Sequence, residues 1–350
     1  MTGGGGRPAG ALVILRCGHA TTIQDAGRPG FARLGLAPGG AMDRRALHAA
    51  NALVGNAPDE AAIECAFLGL EVRLEGGPAR LALAGARARM RVNDVPVADH
   101  TSFVMQDGDR LVIGRADGGM YVMLAVAGGL DVPMVLASRS TDLRAGIGGL
   151  EGRALRPGDR IVLRTVAGAS GPQRVTCPVA LAETEPVRIV AGPQWEMFGE
   201  PAHEALLTNG FVVSHAVDRM ACRLVGPPLS RAVLCDMISE PTTPGAMQVP
   251  PDGAPLIMMA DRQTIGGYPR IACVISADLE RLAQRPPGAQ IRFTLVTIEE
   301  AEAAARSRRA WRPTVHPLRD AALLDLECVG DAAVSALAAE TWDHLAPTGS

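Results

Sequence analysis

Aromatic residues are scarce in this chain, at 3% of 350 residues. Its cores must therefore be built from Val, Leu, Ile, Ala and Met, within an apolar fraction of 47%. There is no basic block, and the net charge is −3. The chain thus lacks the electrostatic footprint of a nucleic-acid binder. No apolar run approaches the roughly 18 residues that a membrane-spanning helix needs. The seven cysteines are scattered and include no C-x-x-C pair, which predicts buried thiols in a reducing cytoplasm rather than a disulfide framework. No histidine pair has zinc-like spacing, so no metal site is expected. G-x-S-x-G, Walker A and strand-to-helix G-x-G-x-x-G signatures are all missing, so ATP chemistry is not expected within this chain. The N-terminal stretch MTGGGGRPAGA reads as a disordered leader or cloning remnant and not as a signal peptide.

Turn residues are plentiful, with 40 Gly and 26 Pro. They punctuate short apolar runs, the pattern of a mainly β protein of barrel or sandwich type. The length suffices for two domains with separate cores. Expected strands are Leu12–Arg16, Leu81–Ala84, Ala88–Val92, Leu111–Gly114, Tyr121–Ala127 and Ile161–Leu163 in the first half. Val187–Ala191, Phe211–Ser214, Leu256–Ala260, Ile271–Ile275 and Ile291–Thr297 follow in the second. Gln106–Ile113 is echoed by Arg156–Leu163, each a Gly-Asp turn feeding a strand. Helices are expected at Arg44–Val54 behind an Asp43 N-cap, near Pro201–Leu207, from a Ser276 cap through Gln284, and at Ile298–Ala310. The small, aperiodic residues 167–185 read as a linker. The expected organisation is a leader (1–11), a first domain (12–166), the linker, a second domain (186–298) and a helical or irregular tail (299–350).

Chemistry concentrates in Ala254–Arg270, APLIMMADRQTIGGYPR. A buried strand delivers Asp261, Arg262, Gln263 and Thr264 to Gly266-Gly267, Tyr268 and Pro269. Such a set suits a planar, urea-like or carboxylate-bearing group: Arg offers a fork, Gln and Asp complement an amide edge, and glycine N–H groups hold an oxyanion. The plain alternative is a tight hairpin in which Asp261 and Arg262 form a structural ion pair. A second polar stretch, Thr21-Thr22-Ile23-Gln24-Asp25-Ala26-Gly27-Arg28, leads to Pro38-Gly39-Gly40-Ala41-Met42-Asp43. Asp43 is explained by capping alone. Ser138 and Arg139 could bind an anion or tie down a loop.

The stretches TTIQDAGRPG…GLAPGGAMD, ASRST, VDRMACRL and SEPTTPGAMQVPPDGAP…ADRQTIGGYP occur in the order of one family's signatures. The chain resembles the biotin-dependent carboxyltransferase family, variously called KipA, allophanate hydrolase subunit 2 or the 5-oxoprolinase C subunit. It departs from the family pattern at Ala137, Val217, Ala221, Cys222 and Ile265. The resemblance implies two cyclophilin-like β-barrel domains. It also implies a role as the C subunit of an ATP-dependent 5-oxoprolinase complex, converting 5-oxo-L-proline to L-glutamate and active only with its partners. Those partners would be a KipI or allophanate hydrolase subunit 1 homologue (the 5-oxoprolinase B subunit) and a LamB/YcsF-type protein (the A subunit). One alternative is a carboxyltransferase that depends on biotin and acts on urea or another small amide. Another is a KipA-like regulator that binds a KipI-type kinase inhibitor. With no M-K-M motif here, biotin would arrive on a separate carrier protein, and ATP would be used by the complex. The implied catalytic set is Asp261, Arg262, Gln263 and Thr264. Substrate contacts are expected from Gln24, Asp25, Arg28, Gly40, Asp43, Ser138, Arg139, Asp218, Arg219, Gln248, Gly266, Gly267 and Tyr268. The enzyme reading brings the DRQT and IQDAGR stretches together; the regulatory reading leaves them apart.

Overall fold

The computed structural model describes residues 10–164, 173–176, 185–233 and 237–317. Two sheets carry the architecture. The first has nine strands. Its backbone is a pair of long antiparallel strands, Ala79–Val92 and Arg110–Val126. Leu70–Glu75 and Ala62–Ala66 pair with the second of these, and Ala11–Cys17 joins Leu70–Glu75 to Arg160–Val162. Alternating apolar residues from these strands, including Leu12, Ile14, Val72, Leu83, Ile113 and Leu124, fill the interior. The second sheet has eight strands. All its neighbours are antiparallel except Val187–Ala191 and Phe293–Leu295, which run parallel. The described part of the chain is therefore mainly β with two barrel-like sheets, and the described residues cluster as one compact unit.

Several expectations are corrected. The runs 81–84 and 88–92 are one strand, as are 111–114 and 121–127. Glycines that read as turns bend these strands without breaking them. At Gly85 (φ 115°), a Cβ would collide with the Tyr121 carbonyl, so the two strands approach there only because no side chain intervenes. The register shifts next to it, as at a bulge. The last strand is divided into Gln290–Ile291 and Phe293–Leu295. Most of the expected linker lies outside the described residues. Within it, Gln173–Thr176 pairs with Thr314–Pro317, a long-range partnership that local composition does not reveal. The leader up to residue 9 and the tail beyond 317 also lie outside the described residues.

Four helices are described. Helix α1 (Arg44–Val54) starts at Asp43, whose Oδ1 accepts from the Ala46 N–H, and stops at left-handed Gly55. Helix α2 spans Glu200–Thr208. Helix α3 is shorter than expected, Leu279–Ala283, and Ser276 does not cap it. The preceding Asp278 does not cap it either. Its carboxylate is bound by the Arg188 N–H and guanidinium at 2.6–3.0 Å, a tertiary ion pair that outcompetes the local bond. Helix α4 (Ile298–Ala310) opens with a Thr297–Glu300 capping box and buries no residue. Met42, Met120 and Tyr121 of the first half pack into the core of the second, so the halves share an apolar seam.

Candidate functional site

The Thr22–Gln24 strand releases the chain into a loop that folds back on itself. The Arg28 N–H donates to the Pro38 carbonyl (2.6 Å) and the Ala41 N–H to the Asp25 carbonyl (2.9 Å). Gly27 and Gly40 lie where the arms touch. A Cβ on either would meet backbone of the other arm at under 3 Å, and both have positive φ. Asp25 organises the loop. Its carboxylate accepts from the Gly27 N–H (2.7 Å), the Ser138 and Ser140 hydroxyls (2.7 and 2.6 Å) and the Arg139 N–H (2.5 Å). Ser138 and Arg139 thus tie down a loop; the Arg139 side chain reaches the Val132 carbonyl and Glu60. Gln24 donates to Thr22 and to the Thr141 carbonyl. Arg28, 1% exposed, donates to the Ser140 carbonyl, while its Nε and Nη1 have no partner.

The second half meets this loop at Gly39-Gly40. The Gly39 N–H donates to the Ala260 carbonyl, and the Asp261 carboxylate and Arg28 guanidinium both lie within 4 Å of where a Gly39 Cβ would stand. Arg219 closes the seam. Its guanidinium binds both oxygens of Asp261 (2.7 and 2.9 Å), the Gly40 carbonyl (2.7 Å) and Glu64, whose other oxygen accepts from the Met42 N–H (2.7 Å). Burial alone would lower the Arg219 pKa, but Glu64 and Asp261 hold it above its ordinary value. At the start of helix α1, Gln284 receives the Met120 and Tyr121 N–H groups and donates to Asp43 Oδ2 (2.7 Å). Burial, and then the charge of Glu280, push Asp43 up to about 6. Asp218 accepts from the Met220 and Ala221 N–H groups and so makes the turn that aims Arg219.

The residue after Asp261 takes the other side of the chain. Arg262 does not pair with Asp261, because both carboxylate oxygens are already held by Arg219. It lies under Thr242, whose carbonyl is 3.4 Å from Nε, and its Nη1 has no partner. Burial lowers its pKa. Gln248, also buried, has an unpartnered Nε2 against Gly266. Gln263, Gly267 and Tyr268 are exposed, and Thr264 is half-buried. The expected residues therefore fall into two groups. Gln24, Asp25, Arg28, Gly40, Asp43, Ser138, Arg139, Asp218, Arg219 and Asp261 build or border the seam. Arg262, Gln263, Thr264, Gly266, Gly267 and Tyr268 belong to the segment after Asp261, which pairs through Ile265–Gly266 with Glu240–Pro241, and Gln248 lies against it from the strand Ala246–Gln248. Two surface cavities lie elsewhere: one of about 220 Å³ between Pro228–Arg231 and Pro250–Gly253, and one of about 160 Å³ beside His48 and Arg312.

Sequence reasoning missed Glu64 and Gln284. Glu64 carried a usable signal, since a lone carboxylate inside the apolar run Ala61–Ala66 must find a partner. Gln284 carried none, as an amide at a helix end is ordinary.

The family described as carboxyltransferase domain, subdomain A and B, matches residues 34–295. The chain belongs to this family. It is 40% identical to the 5-oxoprolinase C subunit of Escherichia coli K12, over 86% of this chain and 98% of that protein. The protein of the same name from Haemophilus influenzae is 36% identical over 88% of this chain and 99% of its own length. The crystal structure of the K. lactis urea amidolyase superposes with a TM-score of 0.79 at 28% identity, over 87% of this chain but only 20% of that enzyme. For this carboxyltransferase-family chain, the Gly39–Gly40 seam and the segment around Arg262 are the two candidate regions.

Proposed function

We propose that this chain is the C subunit of a 5-oxoprolinase, acting in a complex that opens 5-oxo-L-proline to L-glutamate at the expense of ATP. The carrying observation is end-to-end correspondence. The chain accounts for 98–99% of two proteins named as that subunit, whereas it corresponds to a small part of urea amidolyase. The geometry fits a protein that contributes part of a site. Polar groups from both halves converge at Gly39–Gly40, yet none forms a nucleophile–base pair, and the partners (homologues of the A and B subunits in this reading) would supply ATP use. The approach of Asp261, the first residue of DRQT, to Gly39 and Arg28 of the first loop supports this reading over a purely regulatory one.

The family name and the urea amidolyase likeness favour a second reading, carboxyl transfer from biotin. All 34 of the chain's Lys and Arg residues are Arg. Biotin is attached through lysine, so it would have to be presented by another chain. The unpartnered donors Arg262 Nη1 and Gln248 Nε2 fit the ureido oxygen of such a group. Co-expression with the neighbouring subunits, followed by ATP-dependent turnover assays on 5-oxoproline and urea, separates the readings. 5-Oxoproline turnover that needs this chain is the expected result. Urea-dependent turnover requiring biotin would replace the first reading with the second.

A further inference from the structure

The segment after Asp261 and the neighbouring strand Ala246–Gln248 hold buried donors that no acceptor answers. Arg262 is 6% exposed and Gln248 is 5% exposed. Arg262 Nη1 and Gln248 Nε2 both lack a hydrogen-bond partner. The carboxylates nearby in sequence are committed, Asp261 to Arg219 and Glu240 to Arg270 and Gln194. The Cys273 thiol lies close to Arg262, but burial pushes its pKa up, so it supplies no negative charge at neutral pH.

These donors are also held in place. Gln248 is paired on both sides within its sheet, to Leu256 and to Arg270. Thr242, above Arg262, is fixed by its N–H to the Thr264 carbonyl (2.9 Å) and its hydroxyl to the Gln263 carbonyl. Gly266 completes the enclosure. A Cβ there would overlap the Gln248 amide nitrogen and come within 3.2 Å of Thr242 Cγ2. A buried guanidinium without an anion is costly, and so is a buried amide without an acceptor. A carboxylate would answer both, because its two oxygens match the guanidinium fork and neutralise its charge. Gln263 and Tyr268, on the same segment, are exposed, so it lies at the surface.

We propose that Arg262 and Gln248 form a binding site for a small carboxylate, separate from the Arg219 seam. Resting on the reading above, the occupant is the carboxylate of 5-oxoproline, and Gly266 is glycine so that Gln248 can lie against it.

The test uses the purified full chain and titration calorimetry with three probes. They are L-5-oxoproline; 2-pyrrolidinone, the same lactam without its carboxylate; and 2-imidazolidinone, a cyclic urea like the biotin ring. Wild type should bind 5-oxoproline and neither neutral probe. Arg262→Gln should weaken that binding about ten- to hundred-fold, the usual range for losing a charge-assisted bond. Gln248→Leu should weaken it less. Arg262→Lys keeps the charge without the fork and should fall between. It also decides the matter if Arg262→Gln does not fold. Equal affinities for 5-oxoproline in wild type and Arg262→Gln would overturn the proposal. So would Arg262-dependent binding of 2-imidazolidinone in its place. If the isolated chain binds no probe, KM for 5-oxoproline in the assembled complex takes over. A raised KM in the Arg262 variants supports the site and an unchanged KM overturns it. A complex that turns over 5-oxoproline with KM indifferent to Arg262 rejects the site but not the function. A complex inactive on 5-oxoproline, whose chain still binds acetate through Arg262, rejects the function but not the site.

Discussion

Arg219 and Arg262 are both buried arginines of the second half, on either side of Asp261, but their surroundings are opposite. Arg219 is surrounded by acceptors: Glu64, Asp261 and the Gly40 carbonyl use its nitrogens and join the two halves. Arg262 has one long contact to a carbonyl and no carboxylate. A saturated ion cluster locks a seam, and removing its centre strands two acids. An unsaturated cation contributes little to the fold and remains open to a ligand. Similar burial therefore says nothing about role until the partners are counted.

The contrast breaks most readily at Arg219. Arg219→Ala should cost about 3–5 kcal/mol in urea unfolding, because Glu64 and Asp261 remain buried without their cation. A loss below about 1 kcal/mol would mean that the seam is not a lock. Next comes Gln284→Ala, with an expected loss of about 2–3 kcal/mol in the same measurement. It removes the partner of the Met120 and Tyr121 N–H groups and of Asp43 Oδ2.

Asp43 sharpens the comparison through pH. Its folded pKa is about 6, against about 3.9 unfolded. Between these values the folded chain holds the extra proton. Asp43's share of stability is therefore present below about pH 4, falls as pH rises through about 6, and is flat above. The change is on the order of 2 kcal/mol across that window. Urea midpoints measured across it should show this slope in wild type and lose it in Asp43→Asn. A slope that persists in the variant assigns it to another group. The smallest effect is expected at Arg262. Arg262→Met, which keeps an unbranched apolar stem, should leave unliganded stability within about 1 kcal/mol of wild type. A fall as large as that of Arg219→Ala would erase the distinction between the two arginines.

Much of the local structure was legible. The Asp43 cap, the Gly55 stop, helix α4 and the strand Val187–Ala191 lie where the sequence pattern places them. The echoed turns are equivalent in space. Asp109 and Asp159 each accept from the N–H three residues earlier, beside a left-handed Gly108 or Gly158. Such features depend on neighbours within a few residues, and periodicity reports those. Less legible were the unbroken strand Arg110–Val126, where Gly118-Gly119 imitates a turn, and the pairing of Gln173–Thr176 with Thr314–Pro317. In both, long-range ladder bonds outweigh local preference.

By itself, the sequence determined the mainly β composition, the glycine-rich turns and which polar residues could carry chemistry. It also determined that every non-histidine cation is an arginine, and so that the cationic groups come as planar forks. Only the tertiary structure decided which acid meets which base. Asp261 and Arg262 are adjacent in the chain, but at the strand end their side chains leave in different directions. Asp261 meets Arg219 at the seam, while Arg262 is left beneath Thr242. Ion pairing follows distance and direction in space, and the turn after Met258, closed by the Arg262 N–H on the Met259 carbonyl, sends the two side chains apart.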